Sequence, residues 1–206
     1  MGIQSSIFNF QKHQNSLAGF AVFFCLREKK VSVLKNPKKI VIFALVKSIE
    51  MKRQRIYIDT SIVGGFFDKI FEEETKLLFQ QLEGKKITFV ISEVLTGELE
   101  KAPEKVRTLL DKYDSDYLEK VPLTDEAREL ADKYVAENVV GKTSYDDCCH
   151  IALATIHRVD VLASWNFKHI VNLIRIRGYN GVNLKNGYTA IEIRNPRELI
   201  DYGKDI

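Results

Sequence analysis

Four polar residues of this sequence could together carry out metal-assisted chemistry: Asp59, Glu98, Asp147 and Asn166. Three of them are acids, and carboxylates that are forced together repel one another unless a cation neutralises them. Mg²⁺ and Mn²⁺ prefer oxygen ligands and are commonly shared between protein carboxylates and substrate phosphates. If the fold brings the four side chains together, phosphodiester hydrolysis is the reaction that fits them best.

The elements that must position these residues alternate along the chain from Ile56 onward. Short apolar runs rich in β-branched and aromatic residues predict strands at "IYIDTS", "ITFVIS" and "VDVLASW". Helical character is seen in "FEEETKLLFQQLEGKK", "EVLTGELEK", "PEKVRTLLDKY", "TDEARELADKYVAENV" and "SYDDCCHIALATIHR". Thr124, which two acids follow, is a favourable helix start. Apolar strands joined by helices predict a three-layer α/β/α domain with a central parallel sheet.

The topology of such a sheet predicts where the candidate residues meet. Ligands bind beyond the carboxyl ends of the strands, where Asp59 ends the first strand and Asn166 follows the strand "VLASW". Ser92 closes "ITFVIS" and is a plausible N-cap, which places Glu98 in the second turn of the next helix. We therefore expect residues from separate parts of the chain to share one edge of the sheet.

Each of the four residues also has a purely structural interpretation. Asp59 could cap or turn at its strand end, although an acid just inside so apolar a run makes that the less favoured option. If Ser144 caps its helix, Asp147 lies in the first turn, and the spacing of three also matches a capping box. Asn166 could cap the following helix, and Glu98 could be one of several solvent-exposed glutamates. Only their convergence with Asp59, an acid at the end of an apolar strand, favours a site.

Neighbouring residues support weaker expectations. His150, three residues after Asp147, can reach the rim of the site, but its apolar neighbours favour a packed structural histidine over a general base. Cys148 and Cys149 are expected to be small buried residues. Trp165, which ends a core strand, is expected to contribute packing rather than to stack on a base.

Residues 1–50 do not resemble the rest of the chain. They combine "SLAGFAVFFCL", a lysine-rich stretch and "IVIFALV" without clear periodicity. Each apolar run is shorter than the ~20 residues needed to span a bilayer, and the pattern is a poor match to a signal peptide. Our hypothesis is that Met51 is the true start and that residues 1–50 are a wrongly included extension. The alternative is a poorly ordered or membrane-associating tail. Residues 51–206 then form the single folded domain.

Composition gives little evidence for nucleic acid but suggests a compartment. Three cysteines without a CxxC pair argue against a disulfide scaffold and for a reducing, cytoplasmic setting.

Of the 31 Lys and Arg residues, eight lie in the first fifty positions, which leaves 23 bases against 26 acids in residues 51–206. The global charge is therefore no evidence for RNA binding. A local basic run remains: Lys168, Arg175, Arg177, Lys185, Arg194 and Arg197. The ordinary interpretation of such a run is a solvated face.

Three segments carry a family resemblance: "YIDTSIVGGFFD", "ISEVLTGELEKAP" and "DCCHIALATIHRVDVLASWNFKHIVN". In this order and at this spacing they resemble PIN-domain proteins, especially the VapC-like ribonuclease toxins of type II toxin–antitoxin pairs. The resemblance runs from about Arg55 to about Arg197. It implies an α/β/α nuclease domain with an acidic Mg²⁺ or Mn²⁺ site, in which Asp59, Glu98 and Asp147 match the first three family acids.

At the fourth family position, usually an aspartate, this chain has Asn166. The amide oxygen can still orient water, but the site loses one negative charge, so whether one or two metal ions bind stays open. The resemblance also implies that a hydroxyl after the first acid supports the site, with Ser61 favoured over Thr60. It further implies a homodimer and a cognate antitoxin.

We therefore expect a metal-dependent endoribonuclease in which Asp59, Glu98 and Asp147 bind the metal. Basic residues such as Lys168 and Arg177, together with Arg175, would hold the RNA backbone. One rival is a catalytically weakened PIN fold that binds RNA or a protein partner. A second rival is another Mg²⁺-dependent phosphate enzyme, such as a small phosphatase. No glycine-rich phosphate loop supports a nucleoside-triphosphate enzyme.

Overall fold

The computed structural model describes residues 53–200, which contain one five-stranded sheet. All strand pairs are parallel, and the spatial order is β3-β2-β1-β4-β5. The strands are β1 (Gln54–Ile58), β2 (Ile87–Ser92), β3 (Leu118–Val121), β4 (Val161–Ala163) and β5 (Ile193–Arg194). The predicted parallel α/β architecture is confirmed.

Seven α-helices connect these strands within the described residues. They are α1 (Thr60–Gly65), α2 (Glu72–Glu83), α3 (Glu93–Leu99), α4 (Glu104–Arg107), α5 (Asp125–Ala136), α6 (Tyr145–Ile156) and α7 (Leu173–Lys185). Short 3₁₀ turns lie at Leu109–Lys112, Lys142–Ser144 and Pro196–Glu198. No helix in this part of the chain is both long enough and apolar enough to cross a bilayer.

Alternate residues of the central strands enter two separate cores, one on each side of the sheet. Ile56 and Ile58 of β1 pack with Phe79 and other residues of α1 to α4. Tyr57, between them, belongs to the opposite core with residues of α5, α6 and α7, such as Ile151. Because successive side chains of a strand point to opposite faces, a strand covered by helices on both sides must be apolar throughout. This explains the run "IYI" and establishes the three layers.

The predicted elements agree with the structure where their apolar pattern is strong. The strand "ITFVIS" is β2 without a shift, and Thr124 caps α5 by accepting a hydrogen bond from the amide of Ala127 at 3.2 Å. The edge strands β3 and β5 were not predicted, because they are short and carry charged residues. Helix α7 was also not predicted, since its sequence "LIRIRGYNGVNLK" has two glycines and no clear apolar stripe.

The hypothesis about Met51 and the extension 1–50 falls outside the described residues. The division at residue 51 stays a prediction.

One glycine fixes how α1 approaches the strand end of β4. A Cβ atom at Gly65 would lie 2.8 Å from Cδ1 and Nε1 of Trp165 and 3.0 Å from Oγ1 of Thr75. At Gly64, the preceding residue in the same helix, a Cβ atom would meet nothing within 4 Å. Only a residue without a side chain therefore allows α1 to lie against the Trp165 ring.

We expect Gly65→Ala to lower the free energy of unfolding by about 1–3 kcal/mol, as overpacked cores do. Gly64→Ala is the matched control, and it should be neutral or stabilise by up to about 1 kcal/mol through helix propensity. Urea denaturation measures both. Equal effects of the two substitutions would contradict the close approach.

Candidate active site

The sheet reverses its strand order between β1 and β4, and the candidate residues lie at that point. From β1 the chain runs outward through β2 and β3 on one side and then returns to place β4 on the other side of β1. Crevices that bind ligands form beyond the carboxyl ends of strands at such a switch point. Asp59 directly follows β1, and Ser164 directly follows β4.

Asp59 is buried, with 4% of its surface exposed, and two serine hydroxyls satisfy its carboxylate. Ser61 Oγ donates to Oδ1 at 2.6 Å, and Ser164 Oγ donates to Oδ2 at 2.7 Å. The amide of Ile62 donates to Oδ1 at 3.3 Å, so Asp59 also caps α1. Burial raises the pKa of Asp59, while the charge of His150 and these hydrogen bonds act in the opposite direction.

The same two serines connect Asp59 to the turn that follows β4. Ser61 Oγ accepts the amide of Trp165 at 2.8 Å, and Ser164 Oγ accepts the amide of Asn166 at 2.8 Å. Each hydroxyl thus donates to the acid and accepts from the turn. The carboxylate at the end of β1 and the backbone after β4 are therefore fixed relative to each other.

Glu98 lies near the end of α3, which begins where Ser92 accepts the amide of Leu95 at 3.3 Å. The predicted cap at Ser92 is therefore confirmed. Thr60 Oγ1 donates to Oε2 of Glu98, and His150 Nε2 lies 3.3 Å from the same oxygen. Burial raises the pKa of Glu98, but these two hydrogen bonds and the positive charges of His150 and Lys101 together outweigh burial, so the pKa is lowered overall. Glu98 is held in its charged form through one oxygen.

A series of buried, hydrogen-bonded side chains leads through the core to Glu98. His150 is 2% exposed, and its Nδ1 atom lies 2.8 Å from the Tyr57 hydroxyl. That hydroxyl donates to Ser92 Oγ at 2.6 Å. Because both ring nitrogens have partners and the ring is buried, the expectation of a packed histidine is confirmed. In addition, its contact with Glu98 links the core to the site.

Asp147 is half-buried in the first turn of α6, and Asn166 is its hydrogen-bond partner. Asn166 Nδ2 donates to Oδ1 of Asp147 at 2.9 Å, while Asn166 Oδ1 accepts the amide of His169 at 3.1 Å. The side-chain nitrogen of Asn166 therefore faces Asp147, and its side-chain oxygen is hydrogen-bonded within the turn.

The pKa of Asp147 depends on the other two acids, although the three come from separate segments. Burial raises the pKa of Asp147, His169 and His150 lower it, and Asp59 and Glu98 raise it again. The net direction is upward. The rise is the expected result of gathering negative charges at a partly dry edge.

One expectation about α6 was wrong. Ser144 occupies the N-cap position but makes no capping hydrogen bond with its side chain. Its ψ angle of 30° belongs to the 3₁₀ turn before the helix rather than to the extended backbone of ordinary caps. Asp147 is therefore not part of a capping box, and its side chain faces Asn166 instead.

Several contacts were missed by sequence reasoning. Thr60, which we considered the less favoured partner, donates to Glu98, and Ser61 donates to Asp59, so both hydroxyls touch a site acid. Ser164 and Tyr57 were not considered. Serine at a strand end is a weak signal, but the alternation of Tyr57 with two core isoleucines is typical of a buried hydroxyl that needs a partner.

The buried residues of α6 and β4 agree with expectation. Cys148 and Cys149 are 0% and 2% exposed, and burial raises the pKa of Cys149 to about 11. Trp165 is 5% exposed, and its Nε1 atom donates to Thr75 Oγ1 at 2.9 Å. These residues contribute packing rather than chemistry.

The basic run after Asn166 is mostly paired. Lys185 contacts Glu137, Arg194 contacts Glu192 and Glu198, and Arg197 contacts Glu74. Arg175 donates to the carbonyl of Val139. Within residues 53–200, Lys168 and Arg177 have no hydrogen bond or ion pair from their side chains, and both are exposed. They are the basic side chains of the run that remain available to a ligand.

The chemistry of the donor set fits a hard divalent cation. Each acid presents oxygen only, and in the described chain no lysine or arginine pairs with any of the three. Oε1 of Glu98 and Oδ2 of Asp147 accept no hydrogen bond from residues 53–200. The same part of the chain contains no group of three or more His, Cys, Asp or Glu side chains gathered closely enough to enclose an ion.

Comparisons with known proteins identify a domain. The family model of the PIN domain matches residues 56–167, more than half of the chain. None of the curated proteins matches the sequence.

Similar solved structures include bacterial proteins at low identity. VapC20 of Mycobacterium tuberculosis, a sarcin–ricin loop cleaving toxin, is 11% identical, with a TM-score of 0.43, over 55% of this chain and 91% of that chain. VapBC2 of Rickettsia felis, bound to a promoter DNA fragment, is 14% identical, with a TM-score of 0.43, over 69% and 98%. FitAcB of Neisseria gonorrhoeae is 12% identical, with a TM-score of 0.46, over 69% and 98%.

If the acids share a cation, the cation must stabilise the fold. We expect Mn²⁺ or Mg²⁺ at about 100 times its dissociation constant to raise the free energy of unfolding by about 2.7 kcal/mol. Asp59→Asn should abolish this gain. Urea denaturation with EDTA or with the cation measures it, and Asp146→Asn, which alters an exposed acid, is the control that should retain the gain. An equal gain in Asp59→Asn would contradict the assignment.

Proposed function

The chain belongs to the PIN-domain family, and from this premise we propose that it is a ribonuclease that hydrolyses RNA phosphodiester bonds with a divalent cation. The observation that supports the proposal is the hydrogen-bonded connection of the three acids: Thr60, next to Asp59, donates to Glu98, and Asn166, whose amide donates to a serine that holds Asp59, donates to Asp147. The negative charges of Asp59 and Glu98 also contribute to raising the pKa of Asp147. Without a cation such a cluster is unfavourable, and phosphate chemistry is the common use of a hard cation in a carboxylate site.

Asp59, Glu98 and Asp147 would hold the ion, which we propose to be Mg²⁺ or Mn²⁺. When bound, the ion would offset the charge of the acids and stabilise negative charge that develops on a phosphate.

The protein itself contributes a pre-organised arrangement of oxygen atoms. Ser61 and Ser164 fix both oxygens of Asp59, so this ligand cannot rotate. Glu98 is held through Oε2 and Asp147 through Oδ1, which leaves one oxygen of each open. We propose that Asn166 acts by orienting Asp147, since its nitrogen faces that acid. A side chain locked in this way keeps reacting groups in place, which is a large part of catalysis.

The substrate strand would be held by exposed basic side chains. Lys168 and Arg177 are exposed and unpaired within the described residues. Arg175 is half-buried against Val139. We therefore propose that Lys168 and Arg177 contact the RNA backbone and that Arg175 mainly supports the fold.

We extend the proposal to the biological role of a toxin in a type II toxin–antitoxin pair. A cognate antitoxin would then be the protein partner, and the active form would be a homodimer in the cytoplasm. An adjacent reading frame that encodes a small DNA-binding protein would support this role. Co-expression of that protein should suppress the ribonuclease activity.

The alternative proposal is a PIN fold that binds RNA without cleaving it. The observation in its favour is Asn166, which replaces an acid and presents a hydrogen-bond donor to Asp147. Binding without metal-dependent cleavage would support this alternative.

The sharpest activity test compares two adjacent aspartates of α6. Asp147 is half-buried and bonded to Asn166, whereas Asp146 is exposed. We expect Asp147→Asn to lower cleavage of single-stranded RNA by about 100-fold or more, because loss of a partner outside the ligand shell already costs 10–100-fold. Asp146→Asn removes the same charge and should largely retain cleavage. Comparable losses would contradict the proposed role of Asp147.

The proposed RNA contacts predict a change in salt dependence. Each phosphate contact with a single strand contributes about 0.7 to the slope of log affinity against log salt. Lys168→Gln and Arg177→Gln should each reduce the slope by about that amount, measured by fluorescence anisotropy. Arg175→Gln should leave the slope unchanged and lower stability instead. Unchanged slopes in the first two variants would show that these side chains are merely solvated.

A further inference from the structure

An exposed aromatic ring lies next to the candidate active site. Phe167 is 46% exposed and directly follows Asn166, whose Nδ2 atom donates to Asp147. Single exposed apolar side chains are common on protein surfaces, so exposure alone carries no conclusion. The position and the support of this ring require a separate explanation.

Hydrogen bonds hold the backbone that carries the ring. The amides of Trp165 and Asn166, the two preceding residues, donate to the serine hydroxyls that hold Asp59. The amide of Phe167 donates to the carbonyl of Trp165 at 3.0 Å. The backbone next to Phe167 is therefore held in place relative to Asp59.

Two other aromatic rings, those of Phe71 and Trp165, lie near Phe167. Phe71 stacks on Trp165 with centroids 4.5 Å apart and planes at 25°. The Phe167 centroid lies 6.0 Å from that of Trp165 and 6.5 Å from that of Phe71. Trp165 is itself locked by Thr75 and by the close approach of Gly65. Phe167 is thus the exposed end of an aromatic cluster that is otherwise packed.

Positive charge accompanies the ring. Lys168 is the next residue, exposed and without an ion pair in residues 53–200. The Arg197 guanidinium lies 5.7 Å from the Trp165 ring, although it also pairs with Glu74. An aromatic face beside basic side chains is the arrangement by which proteins bind single-stranded nucleic acids, with bases stacked on the ring and phosphates near the charges.

We propose that Phe167 stacks on an unpaired base of the RNA strand whose phosphate lies at the acids. This inference rests on the proposed ribonuclease function and adds a base-stacking residue to the proposed site. Bases inside an A-form duplex are stacked on one another and cannot lie on a protein ring. Every base has a π face, so Phe167 would select for an unpaired strand more than for a particular base.

The test compares side chains at position 167 with and without an aromatic π face. Phe167→Leu keeps an apolar side chain but removes the aromatic ring, and Phe167→Tyr keeps the ring. By fluorescence anisotropy with a short single-stranded RNA in EDTA, Phe167→Leu should weaken binding about tenfold, within the range of base stacking. Phe167→Tyr should bind within about twofold of the unaltered protein. The control is Leu184→Ala, which removes another exposed apolar side chain (62% exposed) at the far end of α7 and should change nothing.

A single abasic position moved along the RNA isolates the stacking contact, because it removes a base and keeps every phosphate. At one position the unaltered protein should lose about tenfold in affinity, and Phe167→Leu should lose nothing further. The salt slope should be the same for both proteins, since no phosphate contact changes.

Three results would overturn the inference, and they can be told apart. If the unaltered protein cleaves RNA but Phe167→Leu binds it equally well, stacking is excluded and the ribonuclease proposal stands. If the unaltered protein neither binds nor cleaves RNA, both proposals fail. If Phe167→Leu changes the oligomeric state in sedimentation while its RNA affinity is unchanged, the ring belongs to a protein interface.

Discussion

The buried carboxylate of Asp59 is the constraint on which the rest of the site depends. It ends a strand that is covered on both sides, so a charge there needs hydrogen-bond partners that the fold must supply. Ser61 and Ser164 supply them, and each hydroxyl also accepts an amide from the turn after β4. The same turn places Asn166 against Asp147. The hydrogen bonds that satisfy Asp59 therefore also place Asn166, and through it they position Asp147.

Glu98 reaches the same edge by a different route. Its helix begins at Ser92, and Ser92 also accepts the Tyr57 hydroxyl, which contacts His150 and, through it, Glu98. The polar chain crosses the core from β2 to α6. The acid is thus held by groups that are buried and hydrogen-bonded throughout, which is how proteins keep polar networks rigid.

The fold was predictable because its signals are repeated and strong. Apolar strands that must be covered on both faces leave few architectures, and the switch-point rule then brings Asp59, Asn166 and Glu98 to one edge. What failed depends on local backbone geometry or on contacts between distant segments. The cap at Ser144 was wrong because a 3₁₀ turn sets its backbone angle, and the bonds of Thr60 and Ser164 depend on how α1 and β4 meet. The aromatic support of Phe167 likewise forms only when Phe71, far away in sequence, packs on Trp165.

We propose that Asp59, Glu98 and Asp147 form one divalent-cation centre. Crystals of the protein soaked in Mn²⁺ and measured at the manganese absorption edge test it directly, because anomalous scattering locates the ion without reference to activity. We expect an anomalous peak whose ligands include a carboxylate oxygen from each of the three acids. A soaked crystal with no peak there, or with manganese bound only elsewhere, would contradict it.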